Sequence, residues 1–431
     1  MRPLFFILIV FTALTLKAQN PELNKYNFGN GLTFSGKDNF KLNLRGYLQP
    51  YVDIKNYTQN LESNNLTRFR LRRLRLRLTG KAPERKLDYR FQIDLSGSSE
   101  VGDGPSSFLL DAWVRYSLTK RIKLTFGQKA TPTDNRELTM GSQTLQLVER
   151  SRLTSAFSSI RDFGLYLEGS FKTDRGSFLR PAFAITNGDG LNVYGSDHGG
   201  LKVGGRIDFL PFGLFTNFGQ FRQGDLVREN APKLVIGANY SHNQGISSRR
   251  GRASGAILYL NSQREESLPN YTKYGVDFLF KLKGFSMLGE FVGSAATVPE
   301  DISQRVRNDG SVSSTFNVNG VQDIANYVKG RMMLGRAYNI QMGYIFKSLW
   351  SIDMRYTHLD SDEYSFLNNG AFYNRPNYYT LGASKYLSKS YGIKIQGSIT
   401  YAELNDGSND IFGGEVSGGE WIARMITSIA F

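Results

Sequence analysis

Apolar and polar residues alternate with period two through most of the chain from about residue 40 to residue 431. That is the pattern of β-strands whose two faces meet different media. In KLDYRFQIDLSG, Leu87, Tyr89, Phe91, Ile93 and Leu95 share one face, and Asp88, Arg90, Gln92, Asp94 and Ser96 the other. YGIKIQGSITY sets Ile393, Ile395, Ile399 and Tyr401 against Lys394, Gln396, Ser398 and Thr400. RRLRLRLTG sets Leu74, Leu76 and Leu78 against Arg73, Arg75 and Arg77.

The pattern predicts nine hairpins, or 18 strands. They lie near 40–55, 67–80, 87–97, 107–118, 121–128, 162–172, 177–187, 199–210, 213–222, 233–242, 252–262, 271–283, 285–296, 326–346, 350–360, 376–388, 391–403 and 420–431. Sixteen is the alternative if one marginal hairpin, 233–262, is miscounted. Connections are short after residues 118, 172, 210, 283, 346 and 388, and long and polar over 129–161, 297–325, 361–375 and 405–419. Short turns at one end and long loops at the other build an all-β, transmembrane, antiparallel up-and-down β-barrel. Aromatic pairs flank the short turns: Phe209 and Phe212, Phe280 and Phe285, Phe346 and Trp350, Tyr386 and Tyr391. Rings at that level suit a membrane–water boundary, whereas in a soluble sandwich they would be core.

The N-terminus changes the compartment. MRPLFFILIVFTALTLKAQ has a basic start at Arg2, an apolar core from Leu4 to Leu16 and a small residue, Ala18. This predicts a signal peptide over 1–18, a periplasmic segment over 19–39 and a barrel over 40–431. Beyond it no run approaches the roughly 20 apolar residues of a spanning helix. Lys and Arg number 53 against 38 Asp and Glu, and Cys is absent, which excludes thiolate metal sites and a cysteine nucleophile. An exported basic chain with no nucleic-acid-binding fold around its basic run points away from nucleic acid.

Residues 66–164 resemble the phosphate-selective porin O and P family through an ordered series: RRLRLRLTGK, LDYRFQIDLS, LLDAWVRYSL, LTFGQKATP, LVERS and RDFGLYLEG. The resemblance implies an outer-membrane porin of a Gram-negative cell, a homotrimer in typical members, with a long third loop folded into the lumen and an Arg/Lys-lined anion path. Carried onto this chain, the strand arginines are Arg73, Arg75, Arg77 and Arg115. The inserted loop is 129–161, with Lys129, Arg136, Arg150, Arg152 and Arg161. That loop also carries Asp134, Glu137 and Glu149 and lacks the lysine cluster expected of a dedicated phosphate site.

Arginine on the lipid face costs about 2–4 kcal/mol at mid-depth, so Arg73, Arg75 and Arg77 are predicted to face the lumen. There they form an anion ladder with about 6–7 Å per step, or they brace the wall against Asp88 and Asp94 on the next strand. The doublet Arg72–Arg73 breaks the alternation and predicts a bulge, or the point where the membrane-embedded strand begins. The functional expectation is passive diffusion of small anions, phosphate-like, with no cofactor, no metal and no catalysis. Its alternative is a non-conducting barrel serving as a subunit of a larger outer-membrane complex. Enzyme chemistry has thin support: of His198, His242 and His358, His358 with Asp360, near an outer rim, is the candidate for the Asp–His pair a barrel protease would use.

Overall fold

The computed structural model describes residues 22–431 except 37–39, 60–65, 83–85, 100–107, 194–197 and 411. The expected signal peptide lies outside the described residues. Sixteen strands close an antiparallel barrel. They are β1 Lys41–Gln59, β2 Leu66–Lys81, β3 Leu87–Asp94, β4 Leu109–Ser117 and β5 Ile122–Ala130. After the inserted loop come β6 Arg161–Gly169, β7 Phe178–Thr186, β8 Lys202–Leu210 and β9 Lys233–Asn243. The rest are β10 Asn270–Leu282, β11 Phe285–Thr297, β12 Gly335–Ile345, β13 Trp350–Ser361, β14 Asn377–Tyr386, β15 Ile393–Glu403 and β16 Ser417–Ala430. β16 pairs with β1, Ala430 opposite Tyr47, and closes the cylinder. An N-terminal hairpin, Glu22–Asn27 and Gly31–Ser35, pairs with β1 from Leu32↔Leu44 to Ser35↔Lys41. It covers the stretch of β1 that lies beyond the end of β16, so no backbone edge is left bare there.

The count is therefore 16, the alternative, although the first strand of the marginal hairpin, Lys233–Asn243, does form, and two other expected strands account for the difference. Residues 213–222 form a 3₁₀ segment, Thr216–Phe221, and 252–262 contribute only Leu258–Leu260 to a small separate sheet. The expected strand 326–346 starts late. Asp323 caps a helix, Ile324–Lys329, by accepting from the Asn326 N–H, and the strand begins at Gly335.

Alternation decides which side each residue takes. On β13, Trp350, Ile352 and Met354 are exposed while Ser351, Asp353 and Thr357 are buried inside. Rings mark two levels of the outer wall. Phe209, Phe212, Phe346 and Trp350 are exposed beside the short turns. A file of rings crosses four strands further up: Tyr356–Tyr379 at 5.1 Å, Tyr379–Tyr401 at 6.5 Å and Tyr401–Trp421 at 4.9 Å between centroids. Two aromatic levels bound the apolar band of a membrane barrel. Tyr386 and Tyr391 depart from the expected girdle, being buried and turned inward against Leu226.

Candidate functional site: the arginine-lined lumen

β2 holds the bulge that its sequence predicts. The register with β1 runs Gln49↔Arg73 and then Pro50↔Leu71, which leaves Arg72 as the extra residue. One extra residue resets the parity of a strand. Arg68 and Arg70 above the bulge and Arg73, Arg75 and Arg77 below it thus share the inner face, with Leu74, Leu76 and Leu78 outward. Arg68 lies opposite Asp53 in register, and Arg70 reaches the Asp53 carboxylate at 3.1 Å.

The segment 131–160 between β5 and β6 fills much of the lumen and is itself almost entirely buried. Two short helices, Arg136–Thr139 and Arg152–Phe157, shape it. Its acids are consumed by the wall and by neighbouring loop residues. Glu149 pairs with Arg72 and, at 3.2 Å, with Arg73. Asp134 pairs with Lys273 of β10 and accepts from the Ile160 N–H at 2.9 Å. Glu137 accepts from the Ser151 N–H and hydroxyl, both at 2.8 Å, and from Gln223 at 2.9 Å. Burial alone would raise the Glu149 carboxyl, but the guanidiniums of Arg72 and Arg73 hold it well below the usual carboxylate range. Burial acts the same way on Asp134, and the ammonium groups of Lys273 and Lys202 reverse it. Where the loop presses on the wall the wall carries glycine. A Cβ on Gly382 would lie 2.5 Å from Leu147, and one on Gly237 would lie 2.2 Å from Arg206 and 2.7 Å from Arg136.

A second insertion comes from the opposite end. The connection between β8 and β9, residues 211–232, sits among the short turns yet runs up into the barrel. Lys281 of β10 donates to the carbonyls of Gly219 at 2.9 Å and Gly224 at 2.8 Å. Tyr391 donates to Gly224 O at 2.7 Å. Gln223 meets the inserted loop, its carbonyl accepting from the Gln146 N–H at 2.8 Å. A third segment, between β9 and β10, sends Arg252 to the Ser155 carbonyl at 3.0 Å and the Ser158 carbonyl. None of this was read from sequence, where 213–222 and 252–262 pass as strands. The usable signals were the 22-residue span on the short-turn side and Phe215, Phe218 and Phe221 at a three-residue spacing.

What stays open is a chamber of about 700 Å³ on the short-turn side of the inserted loop. Its wall carries Arg45, Arg77, Arg90, Arg115, Arg180 and Arg222, with Asp111, Glu168 and Asp208 as its acids. Arg45 and Arg77 stand directly opposite each other on β1 and β2. Like charges in that relation repel. No ion pair holds either one among the described residues, and the buried Arg77 Nε has no hydrogen-bond partner there.

The expected path residues divide into two groups. Arg77, Arg115, Lys129, Arg150 and Arg161 line the chamber. Arg115 reaches Glu168 at 3.5 Å and lies 4.6 Å from the Trp113 ring centre; Lys129 holds Glu168 at 2.8 Å and Arg161 holds Asp111 at 2.9 Å. Arg150 donates to Glu137 O and, at 2.8 Å, to Met140 O, and burial lowers its pKa. The others are fasteners. Arg73 binds Gln49 at 3.1 Å and Glu149; Arg75, which also lines the chamber, is pinned to Asp94 at 2.7 Å. Arg136 bridges Asp208 and Asp277, each at 2.7 Å. Arg152 lies away from the chamber, donating to Phe372 O with its guanidinium 4.5 Å from the Tyr373 ring centre. His358 faces outward in the ring file, stacked on Tyr338 at 4.8 Å and hydrogen-bonded to Asn377 at 2.7 Å.

Residues 40–190 match the family model described as phosphate-selective porin O and P. Over that stretch, less than half of the chain, the sequence is similar to the phosphate-selective porin O and P family. None of the curated proteins matches it. Among solved structures the porin resembles an anion-selective porin from Comamonas acidovorans, with 13% identity, TM-score 0.51, 91% of this chain and 100% of that one covered. It also resembles the outer-membrane channel DcaP of Acinetobacter baumannii, with 12% identity, TM-score 0.50, 93% and 100% covered. The high-pH structure of Pseudomonas putida OprB matches with 10% identity, TM-score 0.51, 91% and 94% covered. At these identities the likeness is one of fold: a porin barrel of the outer membrane.

Proposed function

We propose that this porin passes small anions and that the arginine chamber sets its selectivity. The observation that carries the reading is the facing pair Arg45 and Arg77, two guanidiniums with no carboxylate of their own beside a chamber with few free acids. Arg115, Lys129, Arg150 and Arg161 add to the positive field, although each is partly engaged by neighbours. Arg73, Arg75, Arg136 and Arg152 position the inserted loop. Arginines in a wet, low-trap lumen attract an anion without holding it, which is what permeation needs. An oxyanion such as phosphate suits the bidentate geometry of guanidinium.

Reconstitution into planar bilayers under a salt gradient tests this. The expected result is stepwise conductance whose reversal potential favours the anion. The interlock of 131–160 with 211–232 favours a second reading, a barrel that is a non-conducting subunit of a larger assembly. Absence of steps, together with constant partners on purification, selects it over the first.

A further inference from the structure

The long-loop end carries a second cationic feature that the lumen does not use. Connections 244–269 and 298–334 fold there into a small layer of their own. It contains a three-stranded sheet of Leu258–Leu260, Gln304–Val306 and Val312–Ser313, and the helix Ile324–Lys329. Tyr259, Leu268, Ile302, Phe316, Val328 and Met332 form its core. Long loops of outer-membrane barrels face the exterior, so this layer meets the medium and the outer leaflet.

A groove of about 420 Å³ opens between the sheet and the helix. Arg305, Arg307 and Arg331 line it, together with Arg249, Tyr259 and Tyr327. The guanidiniums of Arg305 and Arg331 lie 5.1 and 4.9 Å from the same Tyr327 ring centre. Each of the three has a single neutral acceptor: Thr315 O at 3.0 Å for Arg305, Ser313 Oγ at 3.3 Å for Arg307 and Tyr327 Oη at 2.9 Å for Arg331. A guanidinium has five N–H donors, so most remain available. No ion pair holds these three among the described residues. The acid in the lining, Asp309, is turned to Ser311, accepting from its N–H at 2.9 Å and its hydroxyl at 2.7 Å.

An independent observation points to the same place. Tyr259 lines the groove and is 2% exposed, and its hydroxyl has no hydrogen-bond partner among the described residues. A buried hydroxyl without a partner costs about 1–3 kcal/mol. Converging guanidiniums without acids repel one another. One ligand relieves both: an acceptor-rich anion. The volume exceeds that of one tetrahedral oxyanion, and Ile257 and Leu258 add an apolar wall suited to an organic body.

We propose that this groove binds an organic phosphate or sulfate on the outer face, with Arg305 and Arg331 gripping the oxyanion and Tyr259 donating its hydroxyl. The site does not depend on whether the barrel conducts. Two sources share the chemistry: a soluble ester on its way to the lumen, and the phosphate of an outer-leaflet glycolipid.

Calorimetry on the full-length protein in non-ionic detergent tests it, in an Arg45→Ser/Arg77→Ser background that weakens anion binding in the chamber. The probes are glucose 6-phosphate, glucose and micelles of lipid A. Glucose 6-phosphate binding that saturates, with glucose silent, indicates the soluble source; binding of lipid A alone indicates the lipid. In either case Arg305→Ser/Arg331→Ser should weaken binding at least about tenfold, as loss of a charge-assisted pair implies, and Tyr259→Phe should weaken it several-fold. Heat-modifiable gel mobility verifies that both variants fold. If neither phosphate probe binds, or if both variants bind as well as the parent, the proposal is overturned.

Discussion

Selectivity should collapse when Arg45 and Arg77 are both replaced by Ser. A unit charge 4 Å from an anion contributes about 1 kcal/mol even at the dielectric constant of water. With about 1.4 kcal/mol per tenfold, that is roughly a fivefold gain in anion occupancy for each residue. The two residues lie opposite each other in register, so a passing anion meets both. Screening acts over about 8 Å at physiological salt and spares contact distances. The anion-to-cation permeability ratio should therefore fall at least about fivefold in the double variant, read from reversal potentials in a salt gradient. The control is Arg75→Ser with Asp94→Ser. That pair is closed at 2.7 Å and nearly neutral as a unit, so its loss should leave the ratio within about twofold. An unchanged ratio in the Arg45/Arg77 variant, or an equal fall in the control, would refute the assignment of selectivity to unpaired arginines.

Replacing residues 214–230 with a short Gly-Ser link should increase single-channel conductance, because the segment occupies lumen held by Lys281 and Tyr391; an unchanged step size would mean that it does not obstruct the path. Glu149→Gln should free the 131–160 loop, costing about 3–5 kcal/mol for a broken buried pair, seen as added current noise and a lower denaturant midpoint. The folded Glu149 carboxyl is held below its ordinary 4.5, so its stabilisation is complete above that pH and is lost as pH falls through the depressed folded value. The parent should accordingly stay quiet at pH 5 and turn noisy only in strongly acidic buffer, whereas Glu149→Gln is noisy at neutral pH. Gly382→Val places a side chain where Leu147 lies and should cost about 1–3 kcal/mol by overpacking, measured as a fall in the unfolding temperature of the barrel.

The wall was legible in the sequence because its cause is local. A strand between lipid and water must alternate, and Leu74, Leu76 and Leu78 against Arg73, Arg75 and Arg77 record that requirement residue by residue. The bulge at Arg72 was legible for the same reason, since two adjacent arginines cannot both face water on a regular strand. Segment 213–222 does not alternate: its apolar residues Leu214, Phe215, Phe218 and Phe221 fall at steps of one and three, against the expectation of a strand. The chain instead places Asn217 and Phe218 in left-handed backbone, with φ of 51° and 58°, and turns. The three-residue spacing of Phe215, Phe218 and Phe221 matches the tighter turn that packs inside the lumen.

Partners from distant segments were beyond reach of the sequence, which offered only neighbouring-strand acids such as Asp94. Arg73, Arg75 and Arg77 have the same residue type, the same spacing and the same inward face. Their fates diverge because Glu149 arrives from a loop more than 70 residues away, while Asp94 comes from the adjoining strand. The acids of the inserted loop, which look out of place in an anion channel, are the sorting agents. Each one that docks on the wall cancels a cation and turns it into a fastener. The positive potential that remains belongs to arginines that no carboxylate holds, among them Arg77 on the ladder and Arg45, a residue with no arginine run around it to draw attention. On the proposed function, the selectivity of such a lumen depends less on how many arginines the strands carry than on where the loop spends its carboxylates.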